Sequence, residues 1–543
     1  VPARWLLLYT FGAAILAGIG LDVLPWPFRA PASENGSKWA AWARHAWKPA
    51  LALLLVLELL IAGRQLAYSR PTSPAAFDSM RTAPSHLLAD TTYGSPGEPF
   101  RFLSMSDIGY DPGDLADLQS LYANVLSDEA IYDLIVATKM KEVLAYNLPL
   151  RYRLFSVDGY DGGLLPTQDY VTLEQLFLSE DEIWPDGRLR QQLRQVPEAR
   201  LLSLLNVKYV ITDKTQDAWI DDVFYDLEHT VPLGQVTLSD LPAFETTHLG
   251  VVSYLSGAAG LPDGTPIAEI TIHGTDGTTV VRELRVGEHT AEGLYDAATA
   301  AHSQARVGHR WRDNEQGSDY IAVLDLGRSL VPETISVRAL IPGEQVQLRG
   351  LSLIDEQTST NRNLSIDPAY RLVHSGDVKI YQNLVVLPRA FVAHQARAVA
   401  SDEEALSLML DPAFDPASEV LLAQPDVASL GPTSGESTAT IVSYDPERVE
   451  IEASLDSPGY LVLTDAYYPG WTVEVDGVPA PIERADLYFR AVRLEPGEHQ
   501  VVVTYAPSSA HVGLGIGVAA WVVWGMACIV AVVMIGRKSA SSV

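Results

Sequence analysis

The sequence predicts an α+β membrane-anchored fold, with three transmembrane helices and a large extracytoplasmic region of α/β and β-sandwich domains. Three observations support this prediction. Residues 512–536, near the end of the 543-residue chain, contain no charged residue. Two further apolar stretches lie near the beginning of the chain. The long segment between the second and third stretches changes from helical to alternating hydrophobic spacing.

The two N-terminal stretches predict transmembrane helices at about 4–24 and 48–66. The apolar part of the first carries no charge, and that of the second carries only Glu58. Both are short for a bilayer core of ~30 Å, but flanking aromatic and leucine residues can extend them. A signal peptide is rejected for the first stretch, because Arg4 alone makes up its basic region and a second span follows closely.

The third apolar stretch predicts a C-terminal transmembrane helix at 511–536, which exceeds the roughly 20 apolar residues that a span requires. The basic residues that flank the three spans on one side are Arg29, Lys38, Arg44, Lys48, Arg537 and Lys538. The positive-inside rule then places the 25–48 loop and the C-terminus in the cytoplasm of a bacterial cell, with residues 68–510 outside. A chain that starts outside, directly at a span, is expected to continue upstream with more helices of the same gene.

The composition excludes several classes of partner and site. The formal net charge is -30, with 68 acidic against 38 basic residues, so the surface repels nucleic acid and anionic lipid. Cys528 is the single cysteine and lies in the third span, which rules out a disulfide framework and a cysteine metal site. We therefore predict no cofactor and no metal, and the lipid bilayer as the principal partner.

The extracytoplasmic region is predicted to contain four folded parts. Helical spacing over 114–144 and a buried strand at 207–211 predict an α/β domain at 69–245. Short alternating segments between turns predict a β-sandwich at 246–372. A capping-box spacing that starts at Ser401 predicts the helix of a short α/β unit at 373–436. Alternating strands predict a small β-sandwich at 437–508.

The search for catalytic chemistry gives few candidates. The chain has no Gly-x-Ser-x-Gly elbow, no His-Glu-x-x-His sequence and no phosphate loop. Glu58 is the first candidate, because a carboxylate inside a span costs a few kcal/mol at mid-membrane. It can reach interfacial water or pair with Arg64, or it can form a polar contact with a lipid-linked substrate or with a helix upstream of this sequence.

A glycine-rich segment supplies the other candidates, Asp158, Tyr160 and Asp161. Two carboxylates and an aromatic ring suit a sugar site, since carboxylates accept hydrogen bonds from hydroxyls and a ring stacks on a sugar face. The same residues also form ordinary turns, in which Asp caps the backbone and Gly adopts positive φ. The aromatic segment 467–471 presents a similar choice between a sugar platform and a strand-end corner that packs the small sandwich.

Several blocks of sequence resemble the C-terminal half of the YfhO-type bacterial membrane proteins, which are relatives of the GT-C glycosyltransferases. In chain order the blocks are 157–161 with 164–166, 204–211, 387–391 with 411–416, and 467–477 with 487–492 and 496–499. The ordered set covers about residues 150–510. The segment 286–309 also resembles a carbohydrate-binding-like insertion of some long family members.

The resemblance implies a polytopic protein that uses a polyprenyl-phosphate sugar at the outer membrane face to glycosylate a cell-envelope polymer. GT-C enzymes place their catalytic acidic residue in an early outer loop of a helical domain that this chain lacks. No catalytic residue is therefore carried over, and the chain is not expected to be active alone. The preferred hypothesis is the outward-facing C-terminal part of such an enzyme. The alternative is a non-catalytic, membrane-anchored module that binds envelope glycan or scaffolds a partner.

Overall fold

The computed structural model describes residues 11–20, 38–64, 72–91, 98–158, 166–184, 189–311, 314, 316–423 and 437–540. The described residues form two compact units. The first lies within 1–81 and 108–142, and the second within 82–107, 143–159 and 166–543.

The helices range from single turns to one of 33 residues. In chain order they are α1 Phe11–Gly20, α2 Lys38–Arg64, α3 Ala75–Asp78, α4 Thr82–Ala89, α5 Leu115–Tyr122, α6 Asp128–Glu142, α7 Leu148–Tyr152, α8 Gln168–Glu174, α9 Leu189–Gln192, α10 Ala199–Leu204, α11 Asp402–Leu410 and α12 Ser508–Ala540, with a 3₁₀ turn at Gly343–Gln345.

The strands lie mainly in the second unit and become dense after residue 200. The first fourteen are β1 Arg101–Ser104, β2 Phe155–Ser156, β3 Val207–Thr212, β4 Ala218–Ile220, β5 Val223–Tyr225, β6 Val231–Pro232, β7 Gln235–Leu238, β8 Thr246–Leu255, β9 Pro266–Gly274, β10 Thr279–Arg285, β11 Val307–Arg310, β12 Ser318–Leu330, β13 Pro332–Ala339 and β14 Val346–Asp355. The others are β15 Thr360–Leu364, β16 Tyr370–Ser375, β17 Lys379–Asn383, β18 Ala390–Ala393, β19 Gln395–Ala398, β20 Glu419–Leu422, β21 Thr438–Asp445, β22 Arg448–Leu455, β23 Gly459–Leu463, β24 Trp471–Val475, β25 Val478–Ala480, β26 Glu483–Ala485, β27 Phe489–Leu494 and β28 Gly497–Tyr505.

One of the described helices is long and apolar enough to cross a membrane. It is the first 23 residues of α12, Ser508–Val530, with a mean hydropathy of 2.0. The apolar parts of α1 and α2, Phe11–Gly20 and Pro49–Gly63, are shorter. Of the three predicted spans, the structure therefore supports the C-terminal span, on the basis of its length and composition. The multi-pass topology and its sidedness stay predictions.

A mixed sheet begins the second unit, with the strand order β16-β17-β3-β1-β2. Its centre is parallel, since β1 pairs in parallel with both β2 and β3. Five of the six residues of β3 are buried, as is usual for a strand covered on both faces. The C-terminal side of the sheet is antiparallel, because β17 runs against β3 and brings Lys379 opposite Thr212.

Two antiparallel sheets follow and enclose one hydrophobic core. Their strand orders are β10-β9-β13-β7 and β11-β12-β8-β14-β15, with β6 paired to β14, while β4 and β5 form a separate hairpin. Ile270 and Val337 of the first sheet and Val251 and Leu351 of the second belong to the same buried cluster. Alternation along β9, with Ile270 and Ile272 buried, explains why one face of each sheet packs inward.

Two further sheets form the C-terminal part of the second unit. Their orders are β18-β23-β27-β26-β20-β19 and β21-β22-β28-β24-β25. Leu461 and Val492 of the first share a buried cluster with Ile451 and Val501 of the second. Hydrogen-bonded sheets thus run across all three predicted boundaries, at 245, 372 and 436. The division into separately folding domains stays a prediction.

Candidate functional site

The predicted site residues have different surroundings. Asp158 is buried, and its Oδ2 accepts a hydrogen bond from the Arg190 backbone N–H at 3.0 Å and lies 3.4 Å from the Arg190 Nε. Tyr160 and Asp161 fall outside the described residues. Glu58 lies in α2 with its side chain exposed. Asp158 therefore holds α9 in place, and a role of these four residues in binding sugar stays a prediction.

A cavity of about 960 Å³ lies in the second unit. Its polar lining includes Gln192, Arg194, Glu198, Thr215, Glu228 and Arg349. Phe177 and Leu176 contribute an apolar part of the wall. The combination of amide, carboxylate and guanidinium groups with an aromatic ring suits a ligand that has many hydroxyl groups.

A buried ionic cluster lies beside this cavity. The Lys379 Nζ, at the first position of β17, is 2.6 Å from the Asp217 Oδ1, 2.8 Å from the Asp226 Oδ1 and 3.4 Å from the Glu228 Oε2. The Lys379 side chain has no exposed surface. Tyr381, two residues along the same strand, donates a hydrogen bond from its hydroxyl to the Asp226 Oδ2 at 2.5 Å. The cluster joins β17 to the segments around β5 through charge-assisted hydrogen bonds.

One lysine does not balance three carboxylates, and the pKa values reflect this. Burial raises the pKa of Glu228 to about 7 and that of Asp217 to about 6, although Lys379 opposes both shifts. Burial is the largest single influence on Asp226 and acts to raise its pKa, but the charges of Lys379 and His229 and the hydrogen bonds from Lys379 and Tyr381 together hold that pKa below its ordinary value. Burial lowers the pKa of the adjacent His229. The cluster can therefore exchange protons near neutral pH, and Glu228 does so at the cavity wall.

A second ionic cluster gathers arginines around one carboxylate, Asp465, just after β23. The Arg101 Nη2 lies 2.8 Å from the Asp465 Oδ1, and the Arg389 Nη2 lies 2.9 Å from the same oxygen. The Tyr444 hydroxyl donates to the Asp465 carboxylate at 2.9 Å. The three arginine charges, the third from Arg490, hold the pKa of Asp465 below its ordinary value, although burial opposes them. We refer to Arg101, Arg389, Arg490 and Asp465 as the arginine cluster.

Arg490 is the arginine of the cluster that has no ion pair within the described part of the chain. Its Nε donates to the Ala466 carbonyl oxygen at 2.9 Å, and its guanidinium lies 3.7 Å from the centre of the Trp471 ring. The Nη1 atoms of Arg389 and Arg490 are both buried, and neither finds a hydrogen-bond partner among the described residues. The cluster therefore has more donors and more positive charge than its neighbours satisfy.

The arginine cluster is close in the fold to the start of α12, the helix that is long and apolar enough to cross a membrane. Trp471 packs against Tyr505, the last residue of β28, with 5.1 Å between ring centres. The Ala506 N–H donates to the Gly470 carbonyl oxygen at 2.8 Å. Gly470 has φ of 108°, and a Cβ at this position would lie 2.9 Å from the Pro507 Cβ. Gly470 and Trp471 of the aromatic segment 467–471 thus pack at the junction between β28 and α12.

Sequence reasoning missed both ionic clusters. Lys379 and Arg490 each lie in a strand whose neighbouring residues are mostly buried. Charged residues are rarely buried unless they are paired, so a cation flanked by buried positions in a strand is the signal that could have identified them. Arg389 and Arg490 also lie within blocks that carry the YfhO resemblance, where they were not considered as site residues.

The family of the bacterial membrane protein YfhO matches residues 433–517. The predicted YfhO resemblance is confirmed over this segment. The matched residues contain β21–β28 and the first ten residues of α12. No curated protein sequence matches the chain.

Two solved structures of the arabinofuranosyltransferase AftD from Mycobacteria also match, the second being a point mutant. Both are 11% identical to this chain and cover 57% of it and 25% of the AftD chain. The TM-scores are 0.15 and 0.14, which do not establish a shared fold. The aligned part therefore amounts to a quarter of the AftD chain.

Proposed function

We propose that this YfhO-type chain is the extracytoplasmic C-terminal part of a GT-C-like membrane glycosyltransferase that acts on cell-envelope polymers with a polyprenyl-phosphate sugar. The observation that carries the proposal is the family match at 433–517. The matched segment contains the whole of one β-sheet and the strands β23, β26 and β27 of another, and its last strand, β28, leads directly into α12. The part of the chain that matches the membrane family therefore joins a folded domain to a membrane span.

The 960 Å³ cavity supports a role in holding glycan. Hydrogen bonds between sugar hydroxyls and charged groups contribute roughly 1.5–3 kcal/mol each. Glu198, Arg194 and Gln192 supply such groups, and Phe177 offers a ring for a sugar face. In this proposal the chain binds and orients the growing polymer, which lowers the entropic part of the barrier to transfer. No catalytic residue is assigned to it.

The second candidate function is a non-catalytic, membrane-anchored module that binds glycan or scaffolds a partner. The same cavity favours it, because binding alone requires no acid, base or nucleophile. Transfer of sugar distinguishes the two functions, whereas glycan binding is common to both.

The test uses membranes from cells that express the full gene product and from cells that lack the gene. Both receive a radiolabelled polyprenyl-phosphate sugar and envelope polymer as the acceptor. Incorporation that depends on the gene supports the glycosyltransferase. Binding of the polymer to the purified protein without gene-dependent incorporation supports the module. Absence of both effects contradicts the glycosyltransferase and the glycan-binding module, and leaves the scaffold.

Two variants test whether the polymer binds in the 960 Å³ cavity. Thr215→Trp places a large ring at the exposed cavity wall. Thr299→Trp is a matched control, because Thr299 is also an exposed loop threonine whose hydroxyl bonds to a preceding aspartate, Asp296. We expect reduced polymer binding with the first variant and unchanged binding with the second. Equal behaviour of the two would remove the cavity from the proposal.

A further inference from the structure

We propose that the arginine cluster is a binding site for a phosphate group, located next to the start of the membrane helix α12. The inference comes from the geometry of the cluster and holds whether or not the chain takes part in sugar transfer. Its first basis is charge. The cluster contains the guanidinium groups of Arg101, Arg389 and Arg490 against the carboxylate of Asp465.

This imbalance lies in the protein interior. Arg389 is 5% exposed, Arg490 is 4% exposed and Asp465 is 6% exposed. Unpaired buried charges cost several kcal/mol each, because the protein replaces their hydration only in part. A phosphate group at pH 7 carries a charge of about −1.5 to −2, which closely offsets the surplus of the cluster.

The second basis is the set of unused donors. Arg389 holds Asp465 with its Nε and Nη2, at 3.2 and 2.9 Å, and its Nη1 has no partner among the described residues. Arg490 uses its Nε on the Ala466 carbonyl, and its buried Nη1 is likewise unsatisfied. Guanidinium groups present planar N–H donors that match the spacing of phosphate oxygens.

The third basis is that aromatic rings hold the guanidinium groups in place and leave both Nη1 groups without a partner, while the Arg389 Nη2 also donates to the Tyr444 hydroxyl at 2.6 Å. Arg389 lies 4.7 Å from the Phe155 ring centre and 4.8 Å from that of Tyr444. Arg490 lies 3.7 Å from the Trp471 ring centre. Stacked cations are already ordered before a ligand arrives, so little side-chain entropy is lost on binding.

Two cavities border parts of the cluster, one at Arg101 and one at Arg389. Arg101 and Tyr488 line one of about 180 Å³. Arg389 and Asn206 line another cavity of about 240 Å³. The exposed Glu98 also lines this cavity, and it forms no ion pair with Arg389 within the described residues. Both are far larger than the roughly 10–15 Å³ that one water molecule needs. A phosphate group therefore has room beside Arg101 or beside Arg389, and Arg490 lies behind them in the same cluster.

The position of the cluster allows two sources for the phosphate. Trp471 packs on Tyr505 and Gly470 bonds to Ala506, so a short path connects Arg490 to the first turn of α12. A phosphate at a lipid headgroup can meet the cluster from the membrane side. Free phosphate or a soluble phosphate ester can meet it from solution. The shared chemistry is a phosphate monoester or dianion.

The binding experiment uses the full chain purified in a neutral detergent. Equilibrium dialysis with ³²P-labelled inorganic phosphate tests the soluble source. Co-purification with undecaprenyl monophosphate, against undecaprenol as the phosphate-free control, tests the lipid source. All solutions have the same ionic strength, because screening alone weakens exposed electrostatic binding. Saturable binding in either arm supports the site, and the arm in which it occurs identifies the source.

Two variants on one strand supply the matched comparison. Arg490→Gln removes the buried arginine of β27, and Arg493→Gln removes an exposed arginine of the same strand that pairs with Glu495 at 3.1 Å. We expect phosphate binding at least about tenfold weaker with Arg490→Gln, since one charge-assisted hydrogen bond is lost, and unchanged with Arg493→Gln. Arg389→Gln is the second test if Arg490→Gln does not fold.

The wild-type protein decides the question even if every cluster variant unfolds. Absence of saturable binding of both inorganic phosphate and undecaprenyl monophosphate overturns the proposal. Equal weakening by Arg490→Gln and Arg493→Gln also overturns it, because the effect would then follow net charge and not the cluster.

Discussion

The guanidinium of Arg490 lies 3.7 Å from the centre of the Trp471 ring. Arg490 is in β27 of one C-terminal sheet, and Trp471 begins β24 of the other. The contact therefore joins the two sheets at the end where β28 passes into α12. The same contact holds Arg490 close to Asp465, although Arg490 forms no ion pair within the described residues.

Trp471→Leu is expected to destabilise the C-terminal sheets. The change removes a partly buried cation–π contact worth roughly 0.5–2 kcal/mol and the packing of Trp471 on Tyr505. Urea unfolding of the full chain in detergent, followed by circular dichroism, measures the loss. Trp219→Leu is the control, because Trp219 is 64% exposed. A loss of the same size in both variants would contradict the prediction.

Glu228 is expected to make stability fall as pH rises. Burial raises its pKa in the folded state from 4.5 to about 7. The folded protein therefore binds a proton more tightly than the unfolded chain. The associated stability is complete below pH 4.5, is lost as pH rises through about 7, and amounts to roughly 3 kcal/mol. Asp217, with its pKa raised to about 6, acts in the same direction.

Urea unfolding at pH 5 and pH 8 tests the Glu228 prediction. The wild type is expected to be less stable at pH 8, and Glu228→Gln is expected to lose much of that difference because an amide does not titrate. Glu333→Gln, at an exposed position of β13, is the control and should keep the wild-type pH dependence. An unchanged difference in Glu228→Gln would show that other groups cause it.

Gly470→Ala is expected to disrupt the junction between β28 and α12. The new Cβ would meet the Pro507 Cβ at 2.9 Å, and the φ of 108° is one that residues with a side chain rarely adopt. Such strain costs roughly 1–3 kcal/mol. Faster proteolysis near residue 470 in the folded protein would reveal it. Gly234→Ala has no heavy atom within 4 Å of its Cβ and should behave as the wild type.

Asp158→Asn separates the structural role of Asp158 from the predicted role in binding sugar. The change leaves the buried Arg190 guanidinium without its carboxylate, and loss of one partner of a buried pair costs about 3–5 kcal/mol. We expect a lower urea midpoint and unchanged polymer binding per folded molecule. Reduced binding by a variant of normal stability would instead support the sugar site of Asp158, Tyr160 and Asp161.

Topology is tested by alkaline phosphatase fusions after residue 250 and after residue 543. The first fusion is expected to be active and the second inactive, because the basic residues around the spans place the large segment outside and the C-terminus inside. Activity in the second fusion but not in the first would reverse the orientation. Western blots confirm that both fusions are expressed equally.

The sequence by itself determined the features that depend on local composition. The apolar run of α12 is recognisable because a span needs one continuous stretch of uncharged residues. The alternation in β9 and β22 is recognisable because side chains of a strand point to opposite faces at every step. The family blocks near the C-terminus are likewise continuous in the chain, and residues 433–517 match the family.

The tertiary structure alone decided which distant residues meet. Periodicity shows that one face of a strand is buried, but it does not show which strand lies next to it. Asp465 meets Arg101 across 364 positions, and Lys379 meets Asp217 across 162. Neither pair lies within one sheet, because Asp465 follows β23 of a different sheet from β1, and Asp217 precedes the hairpin of β4 and β5. Sheet order does bring Arg389 and Arg490 to Asp465, since β18 and β27 flank β23. The tertiary structure thus places three arginines around one buried carboxylate and leaves an excess of positive charge there. The sequence does not show this excess, because the charge balance of a protein interior depends on neighbours in space and not in sequence.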